Sequence, residues 1–501
     1  MAADITACTA EYEEYLHDES RRIGTADAIA FPTSEAEVVQ LVKQARDRGL
    51  AITTQGARTG IVAGAVPEGG LILNLSRMNA ISEVSVGESG TGGIVVQPGA
   101  LLSDVRTAIE PHGLLFPPDP TETTASLGGM VACNASGAMS FRYGPTRSWV
   151  ESIRVVLSDG DTLAIRRGAC IARGRSFALR TEGGRVIEGT LPSYTMPGVK
   201  SAAGYYVADD MDLIDLLIGS EGTLGVITEI GLKLTDRPNA IQSLTLFLPN
   251  QEAVIKLVQV ARDKPIEARP AAMEFFNHDA LNLLRKAKST YPAFEGIPVL
   301  KPNYHSALYL EFHAADSDQI EEAVMELMET VTELGGSDDD TWFATIEREM
   351  EPIKAFRHAT PEAVNLLIGE RKRECPDLTK LGTDMSVPDD QLGAAIAMYD
   401  AGLAANGLES VIFGHIGDNH VHVNILPHDM DDYAKGKGLY LSWAREIVKM
   451  GGSVSAEHGI GKLKVPFLQM MYGEKAIDEM RATKRLFDPE AVLDPGVMFT
   501  L

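Results

Sequence analysis

Cysteine and positive charge are both scarce in this chain of 501 residues. Its four cysteines, Cys8, Cys133, Cys170 and Cys375, stand alone, with no Cys-x-x-Cys pair. That argues against an iron–sulfur cluster or a thiolate zinc site on this chain and for reduced thiols in a reducing compartment. A formal net charge of −25 argues against nucleic acid as a partner, because phosphate binding needs a basic face. No apolar run approaches the ~20 residues of a membrane span. The first residues, "MAADITACTAEYEEYLHDES", are acidic and lack the apolar core of a secretory signal, so a cytoplasmic location is expected. Also missing is a strand followed by Gly-x-Gly-x-x-Gly at the start of a helix, so NAD is not expected. Histidine is sparse, 11 residues in all, which makes its distribution informative.

Hydrophobic residues make up 45% and charged residues 23%, a globular composition, and the length implies two or more domains. "TSEAEVVQLVKQARDRGL", residues 33–50, predicts a capped amphipathic helix with Thr33 or Ser34 as cap, an apolar face of Val38, Val39, Leu41 and Val42, and Gly49 at its end. "AITTQ" predicts a strand feeding a glycine-rich turn. Short strands dominate from about 70 to 235, and "DRPNAI", residues 236–241, marks a boundary. Beyond it strands alternate with longer helices such as "DQIEEAVMELMETVTELGG" and "QLGAAIAMYDAGLAANG", an α+β pattern. The chain ends in a helix that runs into a Pro/Gly-rich tail.

Glycines concentrate in three segments: "TTQGARTGIVAGAV", "PPDPTETTASLGGMVACNASGAMSFRYGPTRSWV" and "GSEGTLGVITEIGLKL". Each alone is explained by turns. Together they allow backbone N–H groups to approach an anion such as a diphosphate. In this order the three segments resemble the FAD-binding domain of the vanillyl-alcohol oxidase, or PCMH-type, flavoprotein superfamily. The rest of the chain resembles the FAD-linked oxidase C-terminal domain of D-lactate dehydrogenases, glycolate oxidase subunits and D-2-hydroxyglutarate dehydrogenases.

The resemblance implies an N-terminal helical segment (1–24), a two-part FAD-binding PCMH-type domain (25–237) and an α+β substrate and metal domain (238–501). The last has an antiparallel sheet and a C-terminal helical segment that returns to the flavin. It implies FAD contacts at Gly56, Ala57, Arg58, Thr59 and Gly60, then Pro118, Asp119, Ser126, Gly129, Asn134, Ser136 and Gly137, and finally Glu221, Gly222 and Ile227. The first loop has no His or Cys, and Cys133 is the sole such residue in the other two segments, so non-covalent FAD is expected. Lys200, in "PSYTMPGVKSAAGYY", reads as a surface lysine, with a role toward flavin or substrate as the alternative.

"SVIFGHIGDNHVHVNIL" predicts a hairpin with Gly417-Asp418 as a two-residue turn. His415 then opposes His420, while His420, His422 and Asn424 share a face. Converging imidazoles suit a divalent metal; solvated hairpin histidines and a stacked pair are the competing readings. A second fragment, "GGSVSAEHGIGKLKVPFL", carries Glu457 and His458. The family resemblance matches both pieces and implies one divalent ion (Zn, Mn or Fe) on His415, His422 and Glu457, with His420 backing them. It implies His458 as the base that takes the hydroxyl proton of a 2-hydroxy acid while Cα hydride passes to flavin N5. Arg357, Lys380 and Asn424 would then hold the substrate.

The expected reaction is oxidation of a D-2-hydroxy acid, D-lactate or glycolate favoured, to the 2-oxo acid. Electrons would pass to electron-transfer flavoprotein, a quinone or a separate iron–sulfur subunit, and the chain is compatible with a homodimer. Alternatives are a D-2-hydroxyglutarate dehydrogenase, a non-redox flavoenzyme of the alkyl-dihydroxyacetonephosphate synthase type, and a metallohydrolase whose glycine loops bind a nucleotide.

Overall fold

The computed structural model describes residues 4–87, 91–265 and 268–501. Near the N-terminus, strands Ala28–Ala30 and Ile52–Gln55 pair in parallel with Leu71–Asn74, and Thr6–Ala7 adds an antiparallel edge. Between the first two runs the helix Glu35–Asp47, where Ser34 Oγ accepts the Glu37 N–H at 3.3 Å. Its buried residues Val38, Leu41, Val42 and Ala45 recur at helical spacing and pack on this sheet, as the sequence pattern predicts.

A second, antiparallel sheet follows in the order Ser85–Val86, Thr91–Val96, Val226–Asp236, Val150–Val156, Thr162–Arg166. The strand Val226–Asp236 ends where the boundary was expected, and Ala240–Leu248 opens a third sheet. That sheet is antiparallel, in the order Trp342–Ala344, Ala240–Leu248, Ser306–Ala314, Ala272–Phe276, Ser410–Gly414, His422–Ile425, Leu381–Gly382. Every residue of Ser306–Ala314 is buried, because both faces are covered. Leu308, Leu310 and Phe312 meet the helices Gln251–Asp263 and Ser317–Glu333, while Ala307 and Tyr309 meet His278–Thr290 and Glu347–Arg371. The protein is therefore of mixed α+β architecture.

The last helix, Val465–Phe487, packs against the strand Val186–Thr190 of the first half, and the tail beyond it travels further back. Val492 O accepts the Ile52 N–H at 2.7 Å, Asp494 N donates to Ile52 O at 2.7 Å, and Asp494 Oδ1 accepts the Thr54 N–H at 2.8 Å. The segment is anchored by Lys484, whose buried ammonium donates to Asp488 Oδ2 (2.8 Å), Thr223 O (2.8 Å) and Leu493 O (2.9 Å). Removing one partner of a buried ion pair strands the other charge. Lys484→Met is expected to lower the unfolding free energy by about 3–5 kcal/mol, read by urea unfolding.

Candidate active site

The three glycine-rich segments line one cavity of about 370 Å³. Gly56 to Gly60 form one wall, with Arg58 in the left-handed region (φ 61°) and its guanidinium 4.3 Å over the Tyr15 ring. Ser126, Gly129, Ser136 and Gly137 form another, and Glu221, Gly222 and Ile227 a third. Gly137 is required for close approach: a Cβ there would sit 1.8 Å from the Asp119 carbonyl oxygen. Cys133 also lines the cavity, and burial pushes its thiol up to about 12, so it is not a thiolate nucleophile near neutral pH.

Three expected cofactor contacts do not line this cavity. Asp119 is drawn away by ion pairs with Arg106 (2.8 Å) and Arg357 (3.2 Å). The Pro118 carbonyl accepts from Arg106 at 3.1 Å. Asn134 instead ends the helix Leu127–Cys133 in a left-handed conformation and accepts the Arg147 N–H on its Oδ1.

His415, Glu457 and His458 line the same cavity. The expected hairpin keeps its register, Phe413 facing His422 and Ile412 facing Val423. Its tip differs: the strands stop at Gly414 and His422, and a 3₁₀ turn over Ile416–Asp418 with left-handed Asn419 replaces the two-residue turn. Arg262 holds this wider loop by donating to the Gly417 carbonyl at 3.1 Å and to Ile416 O at 2.5 Å. His420 therefore lies in the loop rather than in a strand, yet its ring reaches the others.

The residues fit a divalent ion. Ligand atoms of His415, His420, His422 and Glu457 lie within 4.8 Å of one another. His415 Nε2 and His422 Nε2 are 3.3 and 3.5 Å from Glu457 Oε1. Bonds of ~2.1 Å from one ion would hold neighbouring ligands roughly 3.0–3.5 Å apart. Each of these imidazoles is anchored through its other nitrogen: His415 Nδ1–H donates to Glu274 Oε1 (2.7 Å) and His422 Nδ1–H to Thr383 O (2.9 Å). That leaves the Nε2 lone pairs turned to Glu457, the arrangement in which carboxylates and carbonyls orient metal ligands. Burial opposes a charge on His415, but Glu274 and Glu457 outweigh it and raise its pKa to about 10. These carboxylates favour positive charge at the position of that imidazole.

Two supporting residues, Asp384 and Glu274, escaped the sequence reading, and a third, Lys200, is placed by the structure away from its first reading. Asp384 is buried and accepts the backbone N–H groups of Glu457 (3.2 Å) and His458 (3.1 Å), the Ser455 hydroxyl (2.8 Å) and Lys464 Nζ (2.5 Å). Burial opposes its ionisation, but His458 and Lys464 hold the carboxyl well below its usual range. His458 Nδ1 is 3.2 Å from Asp384 Oδ2, and its ring is 27% exposed, toward the cavity. Glu274 gave no signal, being one residue of an otherwise apolar strand. Lys200 is not a surface lysine: its side chain is 8% exposed and pairs with Glu457 (2.9 Å) and Asp418 (3.6 Å).

None of the residues expected to hold substrate lines the cavity. Arg357 is buried against Asp119, with its guanidinium 5.7 Å from the Tyr309 ring centroid. Asn424 is buried opposite Val411 and Gly382, and Lys380 is exposed and donates to Asn365 Oδ1 at 3.0 Å.

Comparison with known proteins identifies the family and the fold. Residues 26–166 match an FAD binding domain, and residues 237–498 match the C-terminal domain of FAD linked oxidases. The chain belongs to the FAD-linked oxidase family and is an FAD-dependent oxidoreductase. It is 30% identical to a D-lactate dehydrogenase of Anaerostipes hadrus, over 97% of this chain and 92% of that one. It is 30% identical to a D-2-hydroxyglutarate dehydrogenase of Xanthomonas citri pv. viticola, over 98% and 93%. It is 27% identical to glycolate oxidase subunit GlcD of Bacillus subtilis, over 94% and 89%. Among solved structures, p-cresol methylhydroxylase with substrate bound shares the fold at TM-score 0.71 and 14% identity, covering 99% of this chain and 94% of that one. No helix among the described residues is long and apolar enough to cross a membrane.

Glu221 ties the cavity to the loop that carries Glu457 and His458. Its carboxylate accepts the N–H groups of Ile460 (2.8 Å) and Gly461 (2.7 Å), and Gly459, at φ 76°, leaves it room. Burial raises its pKa to about 7 against those two donors. Between the ordinary carboxylate pKa of ~4.3 and about 7 the folded protein thus holds a proton that the unfolded chain has released, so this contribution to stability falls as pH rises. The stability difference between wild type and Glu221→Gln should move toward wild type as pH drops from about 8 to about 5, measured by urea unfolding at each pH.

Proposed function

We propose that the protein oxidises a D-2-hydroxy acid, D-lactate or glycolate favoured, to the 2-oxo acid, with residues 25–237 holding non-covalent FAD and residues 238–501 supplying substrate and metal groups. The observation that carries this reading is that His415, Glu457 and His458 line the same cavity that the glycine-rich loops line. The names of the relatives support a hydroxy acid as substrate. The choice among hydroxy acids follows "FRHATPEAVN" and "KLGTDMSVP", which look more like the lactate and glycolate branch.

When bound, FAD supplies the hydride acceptor at N5, and a divalent ion (Zn, Mn or Fe) on His415, His422 and Glu457 lowers the pKa of the substrate hydroxyl. His458 accepts the hydroxyl proton on Nε2. Asp384 fixes the proton of Nδ1 and so keeps Nε2 free as the acceptor, the role a buried carboxylate plays behind a catalytic imidazole. Lys200 keeps Glu457 ionised in its buried position. Arg357, Lys380 and Asn424 are the groups proposed for the substrate carboxylate, although none of them lines the cavity, and Arg357 would have to share its charge with Asp119. Reoxidation falls to electron-transfer flavoprotein, a quinone or an iron–sulfur subunit, and the four free cysteines suit the cytoplasm.

Anaerobic addition of D-lactate or glycolate should bleach the flavin absorbance, while L-lactate should not. His458→Gln should slow bleaching by about 10²–10⁴-fold with a smaller change in substrate affinity. Faster bleaching by D-2-hydroxyglutarate would transfer the assignment to that substrate. A yellow protein that no 2-hydroxy acid bleaches would sink the reading.

A further inference from the structure

The mechanism leaves one buried imidazole without a task. His420 is 0% exposed; its Nε2 faces Asp384 Oδ1 at 3.0 Å, while its Nδ1 makes no hydrogen bond among the described residues. Buried polar atoms left without a partner are costly and rare, and an unseen ion is one standard reason for them. A leucine or phenylalanine would fill this space without that cost.

The surroundings of the ring identify the missing partner. His420 Nδ1 is on the Glu457 side, 3.9 Å from Oε2, and the ring centroid is 4.4 Å from that of His422 and 5.5 Å from that of His415. On its other side Nε2 is 3.0 Å from Asp384 Oδ1. Asp384 is an anion that Lys464 and two backbone N–H groups hold in place. A fixed negative charge beside Nε2 favours the tautomer with its proton there, which leaves Nδ1 with a lone pair.

We infer that His420 Nδ1 is a third imidazole ligand, so that the ion sits among His415, His420, His422 and Glu457, with Asp384 setting the His420 tautomer. The inference rests on the metal-assisted reading of the site and deepens it. Three nitrogens and one carboxylate oxygen leave two positions of an octahedron, the number a 2-hydroxy acid needs to chelate through a carboxylate oxygen and its hydroxyl. A third imidazole also biases the site toward Zn²⁺ or Fe²⁺ and away from Mn²⁺ or Mg²⁺.

The test uses the full-length flavoprotein stripped of metal by a chelator and titrated with Zn²⁺ against a chromophoric competitor, then with Co²⁺ read by its d–d absorption. His420→Gln and His420→Ala should keep their flavin and thermal transition but bind Zn²⁺ about 100-fold more weakly or worse, with an altered Co²⁺ spectrum. Zinc-edge X-ray absorption of the wild-type protein should count three imidazoles, a measurement that does not depend on any variant folding. Wild-type affinity and an unchanged spectrum in a folded His420→Gln protein, or a count of two imidazoles, would overturn the inference while leaving the metal reading intact. A wild-type protein that takes up no ion would overturn both.

Discussion

The site depends on keeping one carboxylate, Glu457, ionised inside a protein wall. Burial alone favours its neutral form, but Lys200 and His415 reverse that preference and hold the carboxyl well below its usual range. Both cations come from distant parts of the chain: Lys200 from the cofactor half, and His415 from the hairpin of the third sheet. The His/Glu cluster itself lies in residues 238–501, and the first half adds Lys200 against Glu457 and Glu221 against the loop that follows it.

Asp384 and Glu221 divide the work of holding the loop that carries Glu457 and His458. Asp384 grips the backbone of residues 457 and 458 from the C-terminal half, and Glu221 grips residues 460 and 461 from the N-terminal half. A stretch of five residues is thus pinned through its N–H groups by two carboxylates from opposite halves. Backbone donors leave the side chains of Glu457 and His458 free for chemistry. The C-terminal tail adds a third tie, because Asp494 lines the same cavity while bonding to Thr54 of the first sheet.

Much of this was legible before coordinates because it is local. Period-two alternation fixed the register of Phe413 against His422, helical spacing identified the face of Glu35–Asp47, and glycine marked the loops that line the cavity. What escaped was long-range charge pairing. Glu274 lies 141 residues before His415 and Lys200 lies 257 before Glu457, and no periodicity links such positions. Asp119 shows the converse error. The loop around it does border the cavity, yet two arginines, one from each half, compete for its carboxylate and turn it away. A glycine can be read from backbone demands, whereas the direction of a buried charge is decided by whichever counter-charge the tertiary fold brings nearest.

The electrostatics of the cluster also bear on why a divalent ion suits it. Glu274, Asp384, Asp418 and Glu457 bring four carboxyls together, and among the described residues only Lys200 and Lys464 meet them as permanent cations in direct contact. Burial raises the pKa of Asp418, which reduces its share of negative charge. The remaining shortfall is between one and two positive charges. A proton on His415 supplies one, and the rise of that imidazole to about 10 expresses the same demand. A dipositive ion held by these residues would supply two and would take the place of that proton on His415. Metal uptake should therefore release protons, and acid should compete with the ion for the same imidazole.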